Sequence, residues 1–232
     1  MITSVIIFPG SNCDRDVIHA ISENTGTKVE SVWHKERVLP EGTGLVVLPG
    51  GFSYGDYLRC GALSARSPII DAVKEHALNE GLVLGICNGF QVLLETGLLP
   101  GAVLTNKTLT FICKKCYLRV ERNDTPFTKG YKKEQVVQFP IAHNDGLYFL
   151  PPEKLENLEK NGQVVFRYCS ESGKTDPEFN PNGALNNIGG ITSRSGNVLG
   201  LMPHPERASE DILGGKDGVI MWRSIQRWIE RE

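Results

Sequence analysis

The sequence predicts an α/β fold, one domain over residues 1–232 built on a mostly parallel sheet flanked by helices, with a mixed or antiparallel extension. Three observations lead there. Short apolar runs alternate with longer amphipathic stretches as far as Thr96, the pattern of strands covered by helices on both faces. Each run closes on Gly, Pro or a polar turn. From Ala102 onward strand-like pieces follow one another with turns between them.

The elements follow in order. Ser4–Phe8, Lys28–Trp33, Leu45–Leu48 and Leu82–Ile86 are short, apolar and rich in branched residues, as buried strands are. Between them, Asp14–Asn24 places Val17, Ile18 and Ile21 on one helical face, and Pro68–Asn79 does the same with Ile69, Ile70, Val73 and Ala77. Asp14 and Ser67 suit N-caps, and Pro68 suits a first helical turn. Phe90–Thr96 continues Leu82–Ile86 as a helix. Strands are then expected at Cys116–Val120, Val136–Ile141, Val164–Tyr168, Ile188–Thr192 and Val198–Met202. Pro177–Asn187, rich in Pro and Asn, reads as a long loop. Gly215–Glu230 closes the chain as a helix with Val219, Trp222, Ile225, Trp228 and Ile229 on its apolar side. No internal repeat or linker interrupts the pattern.

Composition narrows the function classes. Lys+Arg 25 against Asp+Glu 27 leave a formal net charge of -2, which argues against nucleic-acid binding through bulk positive charge. No apolar run approaches the ~18 residues of a membrane span. The first ten residues lack a basic region and stop at Pro9-Gly10, unlike a signal peptide. Six cysteines are too sparse for a disulfide scaffold and read as cytoplasmic thiols. Glycine, 25 of 232 residues, is abundant enough to imply many tight turns.

The most informative stretch is Gly85-Ile86-Cys87-Asn88-Gly89 between a buried strand and a helix, the cysteine form of the G-x-S-x-G nucleophile elbow. A sharp strand-to-helix turn leaves no room for side chains beside the nucleophile, and the following helix N-terminus favours a thiolate. The pentapeptide by itself equally describes a buried structural cysteine. A nucleophile needs a base, and the base an orienting group. Pro203-His204-Pro205-Glu206 follows a strand that would deliver His204 to the same sheet end as Cys87, with Glu206 able to reach back to the imidazole. Alone, that segment is no more than a rigid turn. Pro49-Gly50-Gly51, directly after a strand, suits a loop that turns an amide toward a developing oxyanion, the second donor being the Asn88 amide. A phosphate loop is the rival reading, but Gly50–Gly55 matches neither G-x-G-x-x-G nor the P-loop spacing, and no helix is evident after Gly173-Lys174-Thr175.

Together these motifs resemble the class I (triad) glutamine amidotransferases over nearly the whole chain. The resemblance implies a flavodoxin-like sheet, Cys87 as nucleophile toward L-glutamine, His204 as acid and base, and Glu206 as its support. It further implies Gly51 and Asn88 as oxyanion donors and Gln91 as a substrate-binding residue. More narrowly, Pro9–Asp16, Gly51–Gly61, Asn123–Phe127 and Ala142–Gly146 are similar to glutaminase subunits of de novo purine synthesis. Those subunits supply ammonia to a separate synthetase making formylglycinamidine ribonucleotide. The resemblance therefore implies a large synthetase subunit and a small accessory subunit as partners, with ATP and Mg²⁺ on the synthetase and no cofactor or metal in this chain.

Other residues have plainer readings. Cys113-Lys114-Lys115-Cys116 has metal-ligand spacing but lacks a second pair. Cys13 and Cys60 read as packing or loop residues, and His19, His34 and His76 as surface residues. Arg15 and Arg59 read as solvated, with a partner contact as the alternative. His143, after a strand, is the alternative to His204 and a possible substrate contact. A non-catalytic binding module and a cysteine hydrolase or peptidase of the same architecture are the competing functions; an intact Cys87, His204 and Glu206 set speaks against the first.

Overall fold

A computed structural model describes residues 2–230; Met1, Arg231 and Glu232, which the single-domain reading includes, lie outside the described residues. In chain order the elements are β1 (Ile2–Ile7), α1 (Asp14–Thr25), β2 (Lys28–Trp33), β3 (Thr43–Leu48), α2 (Ile69–Leu78), β4 (Leu82–Ile86), α3 (Asn88–Glu95), β5 (Ala102–Thr105), β6 (Ile112–Val120), β7 (Val136–His143), β8 (Asp145–Phe149), α4 (Pro152–Lys160), β9 (Val164–Cys169), β10 (Ile188–Thr192), β11 (Val198–Leu201) and α5 (Val219–Ile229). A nine-stranded sheet runs β2-β1-β3-β4-β11-β10-β9-β6-β7, and β5 pairs with β8 separately. The pairs β2–β1, β1–β3, β3–β4 and β4–β11 are parallel. The pairs β11–β10, β10–β9, β9–β6 and β6–β7 are antiparallel. The antiparallel extension is thus as large as the parallel part.

The parallel strands are continuous apolar runs because helices cover both faces. Val5, Ile6, Leu45–Leu48 and Leu82–Ile86 are buried. From β1 to β2 the chain moves one way along the sheet and from β3 to β4 the other, so right-handed crossovers put α1 and α2 on opposite faces. Between β1 and β3 the strand order reverses, and the crevice at their carboxyl ends is where doubly wound sheets bind ligands.

Several elements depart from the sequence reading. β5, β8 and α4 are additional. β5 is four residues long and partly exposed, and α4 buries only Leu158, so neither carries a strong apolar period. β6 begins at Ile112 because Ile112 pairs with His143 across an otherwise exposed stretch. Pro140 interrupts β7 without ending it, since β7 is an edge strand and has no further neighbour needing the missing N–H. α1 starts at Asp14 itself, with Cys13 in the capping position and no side-chain cap. Pro68 holds the N-cap position of α2, and the Ser67 hydroxyl bonds His34 instead. α5 starts at Val219, after Gly218 closes against the Pro205 carbonyl.

Two glycines around the elbow carry the packing of α3 on the sheet. A Cβ on Gly89 would lie 1.8 Å from the Leu48 carbonyl oxygen, and one on Gly85 would lie 2.5 Å from Leu93 Cδ1. Gly26, at the α1 C-cap, has φ +64 but open space around it. Gly89→Ala is therefore expected to destabilise by about 3 kcal/mol through overpacking. Gly26→Ala is expected to cost about 1 kcal/mol from left-handed strain alone. Urea midpoints at constant m-value measure both.

Candidate active site

The three loops that leave β1, β3 and β4 meet at one sheet end. Cys87 sits between β4 and α3 with φ 49 and ψ -105, a conformation that a side chain adopts only under constraint. The constraint is visible: its amide donates to the Leu201 carbonyl at the end of β11 (2.8 Å), and its carbonyl accepts from Gln91 N (3.1 Å). The sharp turn leaves the thiol at the N-terminus of α3, where the first amides have no intrahelical acceptor.

β11 runs straight into the loop carrying His204. Its imidazole Nδ1 lies 2.6 Å from Glu206 Oε1, and both side chains are almost wholly buried. Glu206 accepts, so Nδ1 carries the proton and Nε2 is turned to the elbow. Burial alone would lower the His204 pKa, but the Glu206 carboxylate and the Cys87 sulfur outweigh it and hold the imidazole well above its ordinary range. The loop itself is fastened from two sides. His204 N donates to the Pro140 carbonyl of β7 (2.9 Å), while Trp222 Nε1 of α5 donates to Ser209 Oγ (2.8 Å), which donates to the Pro205 carbonyl (2.8 Å).

The glycine pair after β3 divides its work. A Cβ on Gly50 would stand 2.8 Å from His204 Cε1, 3.3 Å from Cys13 Sγ and 3.4 Å from Cys87 Cβ, so Gly50 makes the room in which Cys87 and His204 meet. Gly51 has φ +131 and bridges Ser11 of the loop after β1. Phe52 N donates to the Gly10 carbonyl (3.2 Å). Sequence reasoning named Gly51 and passed over Gly50, because only the fold reveals what a side chain there would strike.

Asn88 and Gln91 form an inner wall. Asn88 Nδ2 donates to Gln91 Oε1 (3.0 Å) and Asp56 Oδ1 (3.3 Å), and Asn88 Oδ1 accepts from Ser53 N (3.3 Å). Gln91 Nε2 donates to the Asp145 carbonyl (2.9 Å). Both ends of the Gln91 carboxamide are thus engaged within the protein.

His143 comes to the same place from the far edge of the sheet. The carbonyl of its neighbour Ala142 is 3.9 Å from Cys87 Sγ. Asn106 Nδ2 donates to the Thr110 and His143 carbonyls, which leaves Asn106 Oδ1 to accept from His143 Nδ1 (3.0 Å). Burial, helped by the charge of His204, lowers the His143 pKa to about 4. His143 is a neutral imidazole whose Nε2 is buried and has no partner among the described residues, and the Asp145 carboxylate offsets the lowering only in part.

The remaining candidates are placed elsewhere. Cys113 is exposed and Cys116 buried, as a three-residue offset along β6 requires, so the two do not converge on a metal. Cys60 donates to Asp145 Oδ2 (3.3 Å). Cys13 is buried beside the base and accepts from Arg207 Nη2 (3.0 Å), a contact the sequence did not suggest. His34 is not on the surface: it is buried, bonded to Ser67 Oγ (3.1 Å) and Tyr54 Oη (3.0 Å), and fastens the glycine-rich loop to β2. His76 is half-buried against Gly81. His19 and Arg59 are exposed and pair with Glu210 and Glu95. A single 3₁₀ turn, Pro177–Phe179, follows Gly173–Thr175.

Comparison with known proteins adds the following. Residues 3–219 match the model of the CobB/CobQ-like glutamine amidotransferase domain. The phosphoribosylformylglycinamidine synthase subunit PurQ of Bradyrhizobium diazoefficiens is 51% identical over 231 residues, 100% of this chain and 99% of that protein. Its counterpart in Rhodopseudomonas palustris is 54% identical over the same span and coverage. A chain of the structure of PurLQS from Thermotoga maritima superposes with a TM-score of 0.87 at 42% identity, covering 98% of both chains.

The depressed His143 pKa has a consequence for stability. Between the ordinary value of 6.5 and about 4, the unfolded chain binds this proton and the folded chain does not. Stability therefore falls as pH drops through that window, by up to about 3 kcal/mol for this group. His143→Gln is expected to lose correspondingly less than the wild type between pH 7 and pH 4, read as the difference between their urea unfolding curves.

Proposed function

Because the chain belongs to the CobB/CobQ-like glutamine amidotransferase family, its reaction is the release of ammonia from L-glutamine, and we propose that Cys87, His204 and Glu206 carry it out. The supporting observation is the constrained Cys87 turn beside a buried His204–Glu206 pair joined at 2.6 Å. Cys87 attacks the carboxamide carbon as a thiolate, and the charge that develops on the carbonyl oxygen is met by the Gly51 and Asn88 amides. His204 gives its Nε2 proton to the departing nitrogen, the C–N bond breaks, and a γ-glutamyl thioester and ammonia result. His204 then takes a proton from water as it attacks the thioester, and glutamate leaves with Cys87 restored. Glu206 holds the Nδ1 proton throughout, fixing the tautomer that makes Nε2 available. Neutral His143 supplies a lone pair for a substrate N–H, and Gln91 shapes the wall against which glutamine lies.

The activity is that of the glutaminase subunit of phosphoribosylformylglycinamidine synthase, supplying ammonia for formylglycinamidine ribonucleotide in purine biosynthesis. We propose as partners a large synthetase subunit that binds ATP and Mg²⁺, together with a small accessory subunit. Six free cysteines and the absence, among the described residues, of a helix able to cross a membrane fit a cytoplasmic site of action.

Cys87→Ser is expected to abolish glutamine-dependent synthesis while externally supplied ammonia still supports it in the assembled complex. Retained glutamine turnover would overturn the mechanism. His204→Ala should lower kcat by roughly 10²–10⁴-fold, as loss of general acid–base catalysis does. His143→Ala should act chiefly on KM; a larger kcat loss there than at His204 would transfer the role of base. The isolated chain should be a poor glutaminase that its synthetase activates by about 10²–10³, the worth of one oxyanion donor brought into line. Equal kcat values for the free and assembled chain would rule that switch out.

A further inference from the structure

The acid of the His204–Glu206 pair is only half satisfied. Glu206 Oε1 holds His204, while Oε2 is buried and has no hydrogen-bond partner among the described residues. An anion in that state requires a fixed countercharge nearby. The next residue supplies one. Arg207 is seated by two contacts from the start of α1: its Nε donates to Asp16 Oδ2 (3.0 Å) and its Nη2 to Cys13 Sγ (3.0 Å). Cys13 is buried and central. Its sulfur, one ligand-type atom of His204 and one of Glu206 all lie within 4.8 Å of one another. On its other side, Cys13 N donates to the Gly50 carbonyl (3.4 Å), and its sulfur lies 3.3 Å from where a Gly50 Cβ would be.

We propose that Arg207 is a positioning residue of the glutaminase site. Its charge, held in place by Asp16, balances Glu206 through space, and its fork ties the base loop to the loop after β1 and so, through Cys13 N and the Gly50 carbonyl, to the glycine loop after β3. The proposal rests on the reading of Cys87, His204 and Glu206 as the catalytic set. The charged and titratable groups bearing on His204 are Glu206 from its own loop, Cys87 from the elbow, Cys13 from the loop after β1 and His143 from β7, with Arg207 and Asp16 behind them. Removing the Arg207 cation makes the His204 imidazolium hold its proton more tightly. The limb of the pH profile set by His204 must then move upward. A residue that only braced the loop would lower the rate and leave that limb in place.

Arg207 also lines a cavity of about 620 Å³ on the side of the base loop, together with Arg15, Asp16, Lys115 and Glu206. That space admits a small cation in place of the lost side chain. The test is glutamine hydrolysis by the chain assembled with its synthetase partners. Arg207→Gln, which removes the charge, should lower kcat about 10- to 100-fold with little change in KM, the scale of loss when a catalytic group is mis-set by about 1 Å. It should also move the His204 limb of the kcat/KM profile up by roughly one pH unit, the effect of one partly screened charge. Arg207→Lys should keep that limb near its wild-type position and lose part of kcat. Asp16→Asn, a change at a half-exposed side chain, should move the limb the opposite way. Guanidinium ion at millimolar concentration should restore kcat to Arg207→Ala. An unmoved His204 limb in both Arg207→Gln and Asp16→Asn, or no guanidinium rescue of a folded Arg207→Ala, would overturn the proposal. Cys87→Ser in the same assay separates the two levels: if it retains turnover, the catalytic reading fails, and if it is inactive while the Arg207 variants behave as wild type, only the positioning role fails.

Discussion

The bond from the Cys87 amide to the Leu201 carbonyl (2.8 Å) is the interaction on which the site depends. It extends the β4–β11 ladder one step beyond the last paired residues, Ile86 and Leu201. A residue held there by its N–H, while the chain must turn at once into α3, cannot stay extended. It takes φ 49, and the thiol is pushed out of the sheet end. The same ladder carries β11 to its own end beside the elbow, so the chain leaving Leu201 reaches His204 within three residues. Cys87 and His204 are therefore neighbours because their strands are, and the distance between them inherits the rigidity of a parallel sheet.

The glycines translate that arrangement into usable space. Gly89 lets α3 lie against β3 so closely that a methyl group would occupy the Leu48 carbonyl, and Gly50 leaves open the small volume shared by Cys87, His204 and Cys13. Neither needs a left-handed backbone. Gly51 does, at φ +131, because there the loop must turn to bridge Ser11. Glycine in this chain thus serves two physical ends, close approach at some positions and an otherwise forbidden dihedral at others.

Two histidines share one buried pocket and are driven in opposite directions. Desolvation lowers both. At His204 a carboxylate at 2.6 Å and the cysteine sulfur overcome it; at His143 the side-chain hydrogen-bond partner among the described residues is the neutral Asn106 carboxamide, and the neighbouring imidazolium outweighs the help of Asp145. The result is one protonated ring beside one neutral ring. A proton can be stored on the first and the second cannot compete for it.

The parallel half of the sheet, its helices, the elbow and the order of the three site loops were legible in the sequence, because each rests on local periodicity or on a turn whose residues are unmistakable. The convergence of Cys87, His204 and Glu206 belongs to that class: two strand ends and a residue two positions on. What the sequence could not reveal is whatever depends on the curl of the sheet. β7 is the far edge in strand order, yet Ala142 and His143 return to the mouth and Pro140 anchors the base loop. No pattern within Val136–His143 states that return, since it follows from how nine twisted strands accumulate rotation. His34 was misread as a surface residue, and the contact between Cys13 and Arg207 went unforeseen, for the same reason. Each is a polar or titratable residue near an element boundary, where sequence favours exposure, and each is drawn inward by a partner from a distant segment: Arg207 from 194 positions away for Cys13, Tyr54 and Ser67 for His34. Periodicity determines which face of an element is buried, but the contacts between loop ends are set only when the strands that carry them have been placed side by side.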